Sequence, residues 1–302
     1  MVEILIRAAC FVAIILLGYS LRRAGFFKEE DFHLLSKIVL KITLPAAIVS
    51  SVANKEINPS LMFISLIGLM GGVVYILLMY LANLHHSKEE QAFDMLNISG
   101  YNIGNFTLPF AQSFLGPVGV LTVSLFDVGN AVICLGGAYS VAAIVKDGGY
   151  FDVRKIAKTL MRSVPFMTYV IMLLLGLLRI PVPEPVTVFA GIIGGGNAFL
   201  AMLMIGVGFR LSGDRAQMGH IAKILVVRYA LAAALAAGCF FFLPLALEYR
   251  QALALLAFSP IGSAVPAFTE EMEGDVGLSS AINSMSILIS IVCIVVVLVL
   301  VL

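Results

Sequence analysis

Two short stretches of the chain carry residue types that could hold a small charged molecule. The first reads Asn102-Ile103-Gly104-Asn105-Phe106-Thr107-Leu108-Pro109 and the second Ser259-Pro260-Ile261-Gly262-Ser263-Ala264-Val265-Pro266, each in the middle of an apolar run. Proline removes a backbone donor and collides with the preceding turn, while glycine lets the chain take irregular angles. The helices should therefore open around Gly104, Pro109, Pro260, Gly262 and Pro266. If the two breaks cross, each leaves a half-helix whose amino end points at the crossing, with free N–H groups and a partial positive charge. The chemistry to expect is binding of a small organic anion, with Asn102, Asn105 and Ser263 adding neutral hydrogen bonds that orient it.

Charges inside apolar runs form a second class of candidates, because an ionisable group in hydrocarbon is costly and is kept for function or pairing. Asp127, with Asn130 three residues on and so on the same helical face, could carry a coupling proton or help hold a cation. Arg228 has similar depth and is expected either to pair with Asp127 or to serve substrate or coupling. Lys41, and Lys37 four residues before it, could attract the anion from a cavity wall, although long cationic side chains near a span end also snorkel to the interface. Asn197 is a secondary polar candidate, since Gly194, Gly195 and Gly196 before it account for close helix packing. His33, His85, His86 and His220 fall near loops or span ends without metal-ligand spacing and are expected to be solvated.

Such groups need elements to position them, and composition decides which kind. The 302 residues are 61% hydrophobic and 12% charged, with mean hydropathy +1.05, so lipid is the expected solvent. Ten spans fit, at 3–21, 32–53, 59–84, 89–115, 117–145, 159–179, 185–210, 219–243, 248–271 and 275–301. The first run lacks a basic opening and a small-residue cleavage site, and is expected to be retained. Cations gather at one end of the spans, with Arg22, Arg23 and Lys28 after the first, Lys146, Arg154, Lys155, Lys158 and Arg162 between the fifth and sixth, and Arg210 and Arg215 after the seventh. The other end has little beyond Arg7, Lys55, Arg179 and Arg250, so both termini are expected outside a cell membrane.

A net charge of +1 and the lack of a basic stripe argue against nucleic acid as a partner. Cys10, Cys134, Cys239 and Cys293 lie far apart inside apolar runs and suggest neither disulfides nor zinc. No constellation of nucleophile, base and orienting group, and no metal cluster, is visible, so an enzyme is not expected.

Comparison of the chain with itself at an offset of 158 residues aligns Val12, Leu16, Leu17 and Gly18 with Val170, Leu174, Leu175 and Gly176. It also aligns Ile103, Gly104 and Phe110 with Ile261, Gly262 and Phe268, and Gly116, Val118 and Gly119 with Gly274, Val276 and Gly277. An odd number of spans per half inverts the second copy, which is a transporter signature. The expected organisation is a five-helix repeat over 1–145, a cytoplasmic linker over 146–158 and a second five-helix repeat over 159–302.

The Asn-x-Gly-x-x-x-Leu-Pro pattern from Asn102 to Pro109, the Pro260 and Pro266 pair, and the 5+5 layout together resemble the auxin efflux carrier family, including bacterial malate and malonate permeases. Thr107 stands where the family more often has glycine. The resemblance implies an all-α membrane fold of ten helices with two broken, crossing ones, similar to bile-acid symporters and sodium/proton antiporters. It divides them into a scaffold of spans 1, 2, 6 and 7 and a mobile core of the others. It further implies elevator-type secondary transport of small carboxylates and a homodimer formed through scaffold helices. No cofactor is implied beyond a coupling H+ or Na+. A carboxylate sensor that does not transport, or a channel, remains the alternative.

Overall fold

A backbone crossing lipid must close its hydrogen bonds internally, and a helix does so within one segment. In the computed structural model, which describes residues 2–28, 30–55, 57–148, 150–209 and 217–302, every regular element is helical. Arg210 and Arg215, counted above among the cations of one end, lie outside the described residues. Among the described residues seven helices are long and apolar enough to cross a membrane, or eight if the bent pair Val153–Arg162 and Val164–Leu177 is one span. This falls short of ten for two local reasons. The region Lys88–Asp147 runs on as one apolar stretch of 60 residues, and the helices on either side of Pro260 have only 11 and 7.

In chain order the helices are α1 (Val2–Arg23), α2 (Asp31–Val52), α3 (Pro59–Ala82), α4 (Lys88–Ile98), α5 (103–115), α6 (Gly116–Val132) and α7 (Ala138–Asp147). They continue as α8 (Val153–Arg162), α9 (Val164–Leu177), α10 (Glu184–Gly194), α11 (Asn197–Gly208), α12 (Met218–Phe242), α13 (Leu247–Ala257), α14 (Val265–Glu271) and α15 (Val276–Val301). Starts follow the sequence: Ser87, Asp152, Ser163 and Asp275 each accept a hydrogen bond from the backbone N–H three residues on. The proposed boundary at 158/159 falls inside α8, which Ser163 separates from α9.

Proline shapes the two helices that matter most. In α2 a wide turn over Val39–Thr43 precedes Leu44-Pro45, and in α5 a wide turn over Ile103–Thr107 precedes Leu108-Pro109. Leu44 N–H reaches back to Val39 O and Leu108 N–H to Ile103 O, one residue further than in a regular helix. The proline ring crowds the carbonyl four residues earlier, so the ladder slips by one.

The helices pack as two bodies. In one, α1 lies on α11, and α2 lies on α10 and α9; in the other, α3 lies on α4 and α6, α4 on α7, α12 on α13 and α14 on α15, while α5 packs on α6 and α13. Each body has a seam where backbones touch. A Cβ on Gly206 would sit 2.0 Å from Ile15 O, and one on Gly129 would sit 1.8 Å from Ser65 O. Between the bodies, α2 and α9 touch α6, α1 touches α15, and α11 touches α5.

Because the atom opposite Gly129 is backbone and cannot swing away, Gly129→Val should destabilise the protein by at least about 2 kcal/mol. Denaturant unfolding in detergent measures this, with Gly191→Ala, which meets nothing within 4 Å, as the neutral control.

Candidate functional site

The site is made where α4 and α13 stop. After Ile98 the chain runs irregularly to Asn102, with Gly100 at φ +70°, and re-enters a helix as α5; after Ala257 it runs irregularly to Ala264 and re-enters as α14. The two open segments cross in contact. Asn102 N–H donates to Pro260 O at 2.8 Å, and Asn105 Nδ2 donates to Ser263 Oγ at 3.3 Å. Both pairs are 158 residues apart, the offset of the internal repeat. Pro260 has no N–H, so the reciprocal bond to Asn102 cannot form. Thr107 and Ser259 hydroxyls share a further bond at 2.5 Å.

Carbonyls at the crossing are served by fixed protein donors. Arg228, with a relative exposure of 1%, donates to Ile98 O, to Gly100 O at 2.8 Å and to Ser259 O at 2.9 Å, so one guanidinium caps the carboxyl ends of both α4 and α13. Its carbon lies 4.9 Å from the ring centre of Tyr75 and 5.3 Å from that of Tyr101. Asn130 accepts from Tyr101 N–H at 3.0 Å and donates to Tyr101 O at 2.8 Å. Asn283 on α15 donates to Ile261 O at 3.3 Å and Gly262 O at 3.1 Å.

The N–H groups are treated differently. Those of Gly104 and Asn105 at the start of α5, and of Gly262, Ser263 and Ala264 ahead of α14, meet no acceptor among the described residues. The Asn102 amide makes no hydrogen bond to another described side chain, and Asn105 Oδ1 is buried without a partner. Five backbone donors are thus left over at the amino ends of α5 and α14, beside one orphaned acceptor, Asn105 Oδ1.

Two cavities flank the crossing and share Asn102, Asn105 and Ser263. The larger, about 660 Å³, lies between α11 and the α14–α15 side, and its wall includes Pro266, Ser280 and Asn283. It reaches Arg22, Glu30, His33 and Glu270, the end of the molecule where the cations gather. The smaller, about 210 Å³, is lined by Gly104, Gly262, Ala264, Asp127, Asn130 and Tyr169 among others. Asp127 accepts from Asn130 Nδ2 at 2.8 Å.

Of the residues singled out in the sequence, Asn102, Gly104, Asn105, Gly262, Ser263, Pro266, Asp127 and Asn130 line one cavity or both. Pro109 is buried within α5, and Pro260 supplies the carbonyl that joins the two segments. Lys41 and Lys37 are exposed on α2 and line neither cavity. Asn197 accepts from Thr43 Oγ1 at 3.0 Å inside the first body. The expected pairing of Arg228 with Asp127 is not what forms: Arg228 is spent on three carbonyls, because open carbonyls at this depth have no water to turn to.

Histidine 220 is likewise not solvated. It bonds Asp94, whose side chain has 0% exposure, while Lys223 reaches Asp94 at 3.1 Å and Asn83 at 2.6 Å. Glu90, Asp94 and His220 come close enough to share a metal ion, but the Lys223 ammonium, 3.9 Å from Glu90, supplies the positive charge there. The only sequence signal for this cluster was a pair of opposite charges, Asp94 and Lys223, a few residues inside two spans. Asn283 gave no signal beyond being a polar residue in an apolar run.

A helical bundle long and apolar enough for lipid, with a polar cavity at two interrupted helices, has the build of a membrane transporter rather than an enzyme. The family described as membrane transport protein matches residues 4–300. The chain belongs to this family, that of the auxin efflux carriers, and its work is transport through a membrane. No match is found among curated proteins.

Replacing Arg228 by Met should cost at least about 3 kcal/mol, since it strands buried carbonyls at about 1 to 3 kcal/mol each. Arg228→Lys should recover only part, because one ammonium cannot span the three. Unfolding of both variants in detergent tests this, and a Met variant as stable as the parent would refute the capping role.

Proposed function

We propose that the protein is a secondary carrier of small carboxylates, dicarboxylates such as malate or malonate first, and that the crossing is its binding site. The observation that carries this is the imbalance at the crossing: the carbonyls of Ile98, Gly100, Tyr101, Ser259, Ile261 and Gly262 are taken by Arg228, Asn130 and Asn283, while five N–H groups and the Asn102 amide stay unused. Free donors at the amino ends of half-helices suit an anion and repel a cation. The mouth itself carries both signs, Arg22 beside Glu30 and Glu270, so selection of the ligand rests on the crossing.

The mechanism proposed is alternating access by an elevator. Counting each interrupted pair as one crossing gives ten spans in two sets, α1 to α7 and α9 to α15, with α8 between them. Contacts between residues 158 apart, as at Asn102–Pro260 and Asn105–Ser263, support a two-fold relation, since equivalent residues of an inverted pair meet only near their shared axis. The body built on α1, α2, α9, α10 and α11 would be the scaffold and the other the moving core. The larger cavity lies on the seam between them and opens at the cation-rich end. Toward the other end the seam is shut by Phe11 against Phe110, ring centres 4.9 Å apart, and by Arg7 donating to Ser113 O at 3.0 Å. Arg7 and Arg22 are about 22 Å apart along α1 by the helical rise. The cation-rich end is taken as cytoplasmic, which puts both termini outside.

Asp127 gives the carrier a candidate for coupling. Its carboxylate and a bound anion share a low-dielectric cavity and repel, and a proton loaded with the substrate removes that repulsion.

Proteoliposomes offered labelled malate, malonate, succinate, lactate and indole-3-acetate, with a pH gradient switched on or off, test the function. Saturable, competable uptake of one of them is expected, and gradient dependence should vanish in Asp127→Asn. Asn102→Ala or Asn105→Ala should weaken binding by about 1 to 3 kcal/mol. Full activity in both variants would overturn the site, and binding without uptake would turn the protein into a sensor.

A further inference from the structure

Helix α8 is not used by the site or by the transport cycle described above. It is amphipathic: Val153, Ile156, Ala157, Leu160 and Met161 fall on one side at about 100° per residue, and Arg154, Lys155, Lys158 and Arg162 on the other. It bends by 80° from α9. If α9 crosses the membrane, α8 lies along the membrane surface at the end where the cations gather.

Only part of α8 is covered by protein. Ile156 is buried, with its side chain against Gly136, and Lys155 pairs with Glu271 at 3.0 Å and sits 5.0 Å from the ring centre of Tyr139. Val153 and Met161 are each 64% exposed, beside Arg154, Lys158 and Arg162, none of which pairs with a carboxylate of a described residue. An exposed apolar strip bordered by unpaired cations, on a helix in the plane of the bilayer, matches the boundary between acyl chains and acidic headgroups.

We propose that α8 is a binding surface for anionic phospholipid headgroups of the leaflet it faces, with Arg154, Lys158 and Arg162 as the headgroup contacts and Val153 and Met161 in the acyl boundary. The occupant is a lipid and not a free anion, because the cations border an apolar strip that a soluble phosphate would leave exposed. Lys155 ties the same helix to Glu271, so the lipid contact and the second packing body meet on one short element.

The chain contains no tryptophan, so Met161→Trp puts a single reporter on the strip. The full-length variant is reconstituted in mixed vesicles in which either the phosphatidylglycerol or the phosphatidylcholine is brominated, at equal mole fraction. Quenching at least about twice as strong by the brominated anionic lipid is expected, falling to equality when Arg154→Gln, Lys158→Gln and Arg162→Gln are added, and unchanged by inorganic phosphate. Equal quenching by both lipids in the single variant would overturn the proposal, as would no quenching by either. Loss of the preference in phosphate would assign the cations to a soluble anion instead. Because the single variant alone decides the question, failure of the charge-neutralised chain to fold leaves the test intact.

Discussion

An open backbone at membrane depth has to find its hydrogen bonds in the protein, and the rest of this molecule is arranged around that requirement. Two interrupted helices expose carbonyls at one set of ends and N–H groups at the other. Arg228 answers the first need from a third helix with a planar group that reaches three carbonyls in different directions. A guanidinium suits this because it carries five donors in a fixed fork and no acceptor. Once the negative ends hold a fixed cation, the positive ends are what remains to be satisfied, and the polarity of the cavity follows.

The same constraint explains which features were legible in the sequence. Breaks at Gly104, Pro109, Pro260, Gly262 and Pro266 could be read because proline and glycine act on their own turn, and the crossing could be read because the breaks recur at a fixed offset. Asp127 could be found because a lone carboxylate in an apolar run has few explanations. What Arg228 touches could not be read, since its partners are backbone carbonyls that every residue has, and only the fold brings Ile98, Gly100 and Ser259 to it. Asp94 and His220, 126 residues apart, were illegible for the same reason. Span number is least legible where helices are interrupted, because the stretch from Lys88 to Asp147 runs on as one apolar region and the helices on either side of Pro260 are each too short to cross alone.

Interaction types divide between the seams. Within each body the contacts are backbone against backbone through glycine, as at Gly206 on Ile15 and Gly129 on Ser65, where even a methyl group would collide. Contacts of that kind have one geometry and resist sliding. Between the bodies, the closed end relies on aromatic edges at Phe11 with Phe110 and Phe114, one hydrogen bond from Arg7, and a long one from Gln112 to Gly194 O at 3.3 Å. These are side-chain contacts that can part and re-form without deforming a helix.

Helix α12 explains how the crossing could travel without coming apart. Along one side it presents His220, Lys223 and Arg228, and these hold Asp94 in the middle of α4 and the open carbonyls at and beyond its end. Two cations and a histidine spaced along one helix thus grip the half-helix that leads into the site at its middle and just past its end. The grip lies wholly within one body and crosses no seam, so any displacement of that body relative to α1, α2 and α11 carries the free N–H groups, the Asn102 amide and Asp127 together. A site whose donors must stay within hydrogen-bond reach of one small ligand needs such a brace, because losing 1 Å at either break would separate the two sets of N–H groups that the crossing brings together.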